Sequence, residues 1–139
     1  MRKQEVFKSH HDLDLWKKSI DFVTDIYNAT KSLPNDEKFA LINQLRRVDV
    51  SVVLSNIAEG ASRQSNKKFI QFLYIAIGSL SEIETQLIIC KNLKYFVEIH
   101  HLHDKIIDLK KMTNGLIKYL KSKDSLLCIH ELRITNHEF

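Results

Sequence analysis

Carboxylates and histidines are the residues of this chain that could run a reaction, and their spacing argues against most of the candidates. Glu59 and Glu82 fall on separate predicted helices, as the carboxylates of a di-iron bundle would. That chemistry needs a His three residues after a Glu on each of two helices, and position 62 is Ser while position 85 is Thr. His100 and His103 lie one turn apart beside His101 and Asp104, and Cys128 and His130 come later. Zinc wants about four converging ligands, usually from two paired motifs, so no metal and no other cofactor is expected. Ser51 and Ser55 have neither a nearby His base nor the glycines of a nucleophile elbow. The chain is expected to be non-enzymatic.

Two other constellations remain. Arg46, Arg63, Lys67 and Lys68, with Arg2, Lys3 and Lys8 near the N-terminus, are candidates for holding phosphates. Point charges give salt-dependent affinity that is blind to sequence, and the competing reading is a solvated charged face. No RNA-reading signature with exposed aromatics is evident, so sequence specificity is not expected. The second constellation is Arg47, Asn56, Glu59, Ser79, Glu82 and Gln86. A functional polar site is possible there, but a structural network is preferred. In it, polar groups of the second predicted helix bond those of the third and fix their register, with Arg47 and Arg63 as charge partners for Glu59.

The elements that must position these residues read as helices. The 139 residues suit one domain, and a single Pro with three Gly argues against a loop-rich or all-β fold. The net charge of +4 and pI near 9.0 make the chain mildly basic. Two distant cysteines, Cys90 and Cys128, read as free thiols of a reducing compartment. No run is expected to reach the roughly eighteen apolar residues of a membrane span, and the first residues lack a signal-peptide core. The expected address is the cytoplasm, with no membrane partner.

Apolar residues at spacings of three and four place the first helix at 12–32, led by Trp16, Ile20, Val23 and Tyr27, with Leu15, Phe22 and Ile26 widening the stripe. Leu33 and Pro34 end it. The second helix is expected at 36–59 on Leu41, Leu45, Val48, Val52, then Ser55 or Asn56, then Glu59, with Gly60 in the left-handed position beyond its end. The third covers 66–92 on Phe69, Phe72, Leu73, Ala76, Leu80, Ile83, Leu87 and Ile88, with Gly78 marking a close approach of another backbone. The fourth covers 97–120. The implied architecture is an all-α, antiparallel up-down-up-down four-helix bundle at 12–120, after a basic segment at 1–11. Residues 121–139 are too apolar for a solvated tail and are expected to form a short extra element docked on the bundle or on a neighbouring subunit. Apolar residues off the main faces, among them Val50, Val53, Ile75, Ile77, Ile89, Ile99 and Ile107, hint at oligomerisation.

A resemblance adds to this reading. Asp14-Leu15-Trp16-Lys17-Lys18, Leu33-Pro34 followed by Glu37, Gln44-Leu45-Arg46-Arg47, Ser51, Asn56-Ile57-Ala58-Glu59-Gly60 with Arg63, and residues 72–80 ending in Gly78-Ser79-Leu80, leading to Glu82, Thr85 and Gln86, stand in the chain. Together they resemble the four-helix-bundle family encoded in intervening sequences of bacterial 23S ribosomal RNA genes, over roughly residues 12–120. That fold group is similar to the accessory variability proteins of diversity-generating retroelements, which are homopentamers that bind nucleic acid and a reverse transcriptase. The resemblance implies a small, non-enzymatic homo-oligomer, foremost a homopentamer, associated with RNA or DNA, and with a reverse transcriptase if a retroelement encodes it. The chain departs from the pattern at Asp49, where a small or apolar residue is usual, and in one extra residue between Arg47 and Asn56. An extra residue turns everything beyond it by about 100° unless a π-bulge absorbs it, so an irregularity is expected between Val50 and Ser55. Two competing classes stand beside this one. A structural assembly module would need no nucleic acid. An all-helical ribonuclease of the HEPN type would need four to six residues between an Arg and a His, whereas Arg133 and His137 enclose three.

Overall fold

A capping box opens the first helix. The Ser9 hydroxyl accepts from the Asp12 backbone N–H and the Asp12 carboxylate accepts from the Ser9 backbone N–H, which satisfies two donors that a helix start leaves without partners. In the computed structural model, five helices follow: α1 (His10–Thr30), α2 (Phe39–Gln44), α3 (Ser51–Ala61), α4 (Asn66–Asn92) and α5 (His100–His137). The structure describes residues 7, 9–31, 39–46, 51–95 and 98–137, with side chains described at all of these except 10, 39, 40, 51 and 126–137. Every regular element among the described residues is helical. α4 lies against α3 and α5, and α1 lies against α3 and α5.

The core runs along one line of each helix. On α1 that line is Leu15, Ser19, Phe22, Ile26 and Thr30, all nearly inaccessible, while Trp16 and Val23 are half-buried and Tyr27 is exposed. The expected stripe is therefore turned by one residue. Ser19 and Thr30 can enter the core because each hydroxyl donates to the carbonyl four residues back, Leu15 at 2.7 Å and Ile26 at 2.8 Å. Thr113 does the same on α5, donating to Leu109 at 2.7 Å.

Two described helices, α2 and α3, fall within the second predicted helix. Residues 45–46 form a π turn at the end of α2, and α3 begins at Ser51. The irregularity thus lies before the stretch expected to hold it, and the described part of that stretch, 51–55, is regular α-helix. A π turn takes up one more residue than an α turn. The buried line beyond it matches that shift: Leu45 is followed by Val53, Ile57 and Ala61 instead of Val52, Asn56 and Glu59. Asp49 lies outside the described residues.

Glycine at position 60 is helical and buried, not a left-handed cap. A Cβ there would lie 2.8 Å from both Phe69 Cδ1 and Phe72 Cβ. Its bare Cα lets the end of α3 press on the first turns of α4. Gly78 has the opposite setting: it is exposed, and a Cβ would meet nothing within 4 Å. The close approach expected at Gly78 belongs to Gly60.

α4 buries Phe69, Ile70, Leu73, Ala76, Leu80, Ile83 and Leu87. Its outer side is unusually apolar, with Tyr74, Ile75, Ile88 and Ile89 exposed. Contrary to the sequence expectation, α4 is long and apolar enough to cross a bilayer by length and composition, a test that the core helix of a soluble protein also passes. The helix ends at Leu93, whose N–H bonds the Ile89 carbonyl at 2.9 Å. Lys94 then takes φ 63°, the left-handed conformation that usually falls to Gly. α5 continues as one helix to His137, so residues 121–137 extend the last helix and do not form the separate docked element expected of them.

Candidate nucleic-acid interface

Seven basic residues were expected to act together, and among the four that are described the fold separates one from the rest. Arg46 lies at the C-terminal end of α1. Its Nε donates to Thr30 Oγ1, its Nη2 reaches the Tyr27 carbonyl at 3.5 Å, and its guanidinium sits 5.2 Å from the Tyr27 ring centroid. Arg63, Lys67 and Lys68 lie at the other end of α3, where the chain turns into α4. The eleven residues of α3 alone hold the two places about 16 Å apart. Arg2, Lys3 and Lys8 lie outside the described residues.

The α3–α4 turn is short because capping makes it so. Ser62 N–H bonds Ala58 and Arg63 N–H bonds Gly60, closing α3, and the Ser65 side chain accepts from Lys68 N–H to open α4. Arg63 donates to Glu59 Oε1 at 2.6 Å and lies 5.2 Å from the Phe72 ring centroid. Lys67 and Lys68 are exposed, and among the described residues no carboxylate forms an ion pair with either. Lys121 of α5 lies beside the same turns of α4, its Nζ donating to the Tyr74 hydroxyl at 3.0 Å. Asn66 donates to Asp124 at 3.1 Å, fixing the register of α5 on the start of α4. Lys121 and Tyr74 were missed by sequence reading, because Lys121 fell in the segment treated as an extension and Tyr74 beside the core stripe.

Of the expected polar network, the Glu59–Arg63 pair forms, four residues apart, but among the described residues no hydrogen bond joins the network's α3 and α4 members: Asn56 Nδ2 donates to Val52 of its own helix at 2.8 Å, and Glu82 is exposed. Ser79 is buried, and Gln86 is half-buried with a fully enclosed Oε1 that has no hydrogen-bond partner. The one-residue shift after the π turn is the physical reason: it points Ile57 and Ala61 at the core and turns Asn56 and Glu59 away from it. Arg47 lies outside the described residues.

The histidines meet three different carboxylates. His100 lies 3.5 Å from Glu98, His101 is 3.5 Å from Asp25, and His103 is 3.3 Å from Glu84. Among the described residues no three His, Cys, Asp or Glu converge as a metal would require. Lys105 also pairs with Asp25, and Lys110 lies 3.7 Å from Glu84. The start of α5 is thereby tied to α1 on one side and α4 on the other. Two hydrogen bonds, from the His100 and then the Ile99 backbone N–H, hold the Glu98 carboxyl below the usual range. Cys90 is enclosed, and burial pushes its thiol up, leaving it little thiolate for chemistry. A recess of about 400 Å³ between α1 and α5 is lined by His11, Asp14, Met112, Gly115, Leu116 and Tyr119.

Comparison with known proteins agrees with this framework. The sequence profile described as 23S rRNA-intervening sequence protein matches residues 11–115. A crystal structure from Bacteroides thetaiotaomicron, described as a protein with unknown function from the S23 ribosomal protein family, superposes with a TM-score of 0.70 at 27% identity. The match covers 78% of this chain and 98% of that one. Comparison with curated proteins gave no match.

Proposed function

We propose that this chain, which belongs to the 23S rRNA-intervening sequence protein family, is a non-enzymatic, self-associating protein that binds nucleic acid through a basic surface. The observation that carries the reading is the α3–α4 turn. Arg63, Lys67 and Lys68 stand there within six residues, and Lys67 and Lys68 are exposed without a carboxylate ion pair among the described residues. Such a cluster attracts phosphate oxygens and releases their counterions, giving affinity that falls steeply with salt. The same reading takes the helices as an antiparallel up-down-up-down four-helix bundle, with α2 and α3 counted as one arm. The Asp25–Lys105 and His11–Tyr119 contacts support opposite directions for α1 and α5, and Asn66–Asp124 with Glu84–His103 does so for α4 and α5. The exposed apolar residues Ile75, Ile88 and Ile89 on α4 supply a surface for self-association, for which a homopentamer is our first expectation. A reverse transcriptase partner belongs to this reading only if a retroelement encodes the chain.

Light scattering coupled to gel filtration, with and without a short structured RNA, tests the proposal. A multimer that gains mass with RNA at low salt and releases it as salt rises supports it. A multimer that ignores RNA even at low salt leaves the second reading, a structural assembly module, which the apolar face of α4 favours. RNA cleavage lost on His137→Ala would instead revive the ribonuclease reading.

A further inference from the structure

Charge alone does not say whether the basic turn meets a duplex or a single strand, but the aromatic rings among the cations do. Tyr74 is 49% exposed on the outer side of α4, two turns from Lys67 along one face of the helix, with uncharged Gln71 between them. The Lys121 ammonium lies 3.0 Å from the Tyr74 hydroxyl and 5.6 Å from the ring centroid. It therefore anchors the hydroxyl end of the ring and leaves a face open. Across the same two turns, Arg63 lies against Phe72. The nearby acids are already engaged, Glu59 by Arg63 and Asp124 by Asn66.

We infer that the start of α4 is a platform for single-stranded nucleic acid, with a base stacked on Tyr74 and phosphates held by Lys67, Lys68 and Lys121. A duplex keeps its base faces stacked inside and has none to offer an exposed ring, whereas every unpaired base has a π-face. A second copy of the chain is the rival occupant. A phosphate backbone neutralises the lysines around the ring, which favours nucleic acid over a second copy, and the oligomer mass of Tyr74→Ala separates the two. The inference rests on the nucleic-acid reading above and narrows its ligand.

The test measures fluorescence anisotropy of a labelled twelve-residue oligouridine and of a blunt-ended twelve-base-pair RNA duplex, on full-length protein. Tyr74→Ala should weaken oligouridine binding about 5- to 150-fold, the range of one lost base stack, with the salt dependence unchanged because no charge is lost. Tyr74→Phe should restore most of that affinity, and the duplex should respond little to either change. Oligouridine binding that survives Tyr74→Ala but falls in Lys67→Ala/Lys68→Ala would overturn the platform and keep the nucleic-acid reading. Failure of the wild-type protein to bind either probe would overturn both. A change of oligomer mass on Tyr74→Ala, with binding retained, would assign the ring to a contact between copies.

Discussion

The two ends of α4 use the same residue types for opposite purposes. Near its C-terminal half, lysines and histidines of α5 meet acids of neighbouring helices: Lys105 and His101 reach Asp25 of α1, and Lys110 and His103 reach Glu84. There charge fixes the seat of the last helix. At the α3–α4 turn, Arg63 is paired with Glu59, but Lys67 and Lys68 stand exposed with no carboxylate ion pair among the described residues, and Lys121 reaches the Tyr74 hydroxyl. The difference teaches that a count of lysines says little about anion binding. What matters is whether the fold has already supplied the counter-charge.

The largest effect expected from breaking this comparison comes at Gly60. A Val side chain there must displace Phe69 and Phe72, so Gly60→Val should cost about 2–3 kcal/mol and loosen the hairpin that presents the basic turn, read as a lower urea midpoint with an unchanged slope. Gln86→Leu should stabilise by about 1 kcal/mol, because it removes an enclosed oxygen that has no partner. Lys105→Ala should lower stability by no more than about 1 kcal/mol, since the pair with Asp25 is only partly buried, and should leave nucleic-acid affinity unchanged.

The smallest effect is pH-dependent. The Glu98 carboxyl is held low by the backbone N–H groups of His100 and Ile99. Its contribution is present above the ordinary glutamate range and is lost as pH falls through the lowered value. Glu98→Gln should therefore be slightly less stable than the wild type at neutral pH, with the gap closing in acid, as thermal midpoints across pH would report.

Much of the scaffold was legible because helix periodicity is strong in this chain. The third predicted helix, 66–92, has the bounds of α4, and of its stripe Phe69, Leu73, Ala76, Leu80, Ile83 and Leu87 are buried, while Phe72 is half-buried and Ile88 exposed. What could not be read was phase. The α1 stripe was placed one residue off because Ser19 looks polar in sequence, yet its hydroxyl donates to the Leu15 carbonyl of its own helix and it sinks into the core; Thr30, read as part of the stripe, is buried in the same way. The π turn at 45–46 moved the α3 face by one residue and scattered the expected network of Asn56, Glu59 and Gln86. An extra residue was legible, but its place was not, because its position depends on which turn best tolerates a wider hydrogen bond. Among the candidate site residues, Arg63, Lys67 and Lys68 come together as their sequence proximity implied, while Arg46 lies at the far end of α3. Tyr74 and Lys121 needed three dimensions, being 47 positions apart.

Charge reversal at both regions tests the central contrast most directly. Lys67→Glu/Lys68→Glu and Lys105→Glu would each be measured for thermal midpoint and for affinity to the oligouridine at low salt. The account predicts that the first variant loses affinity with an unchanged midpoint, while the second loses stability and still binds. Equal loss of binding in both, or binding by the first variant as tight as wild type, would contradict it.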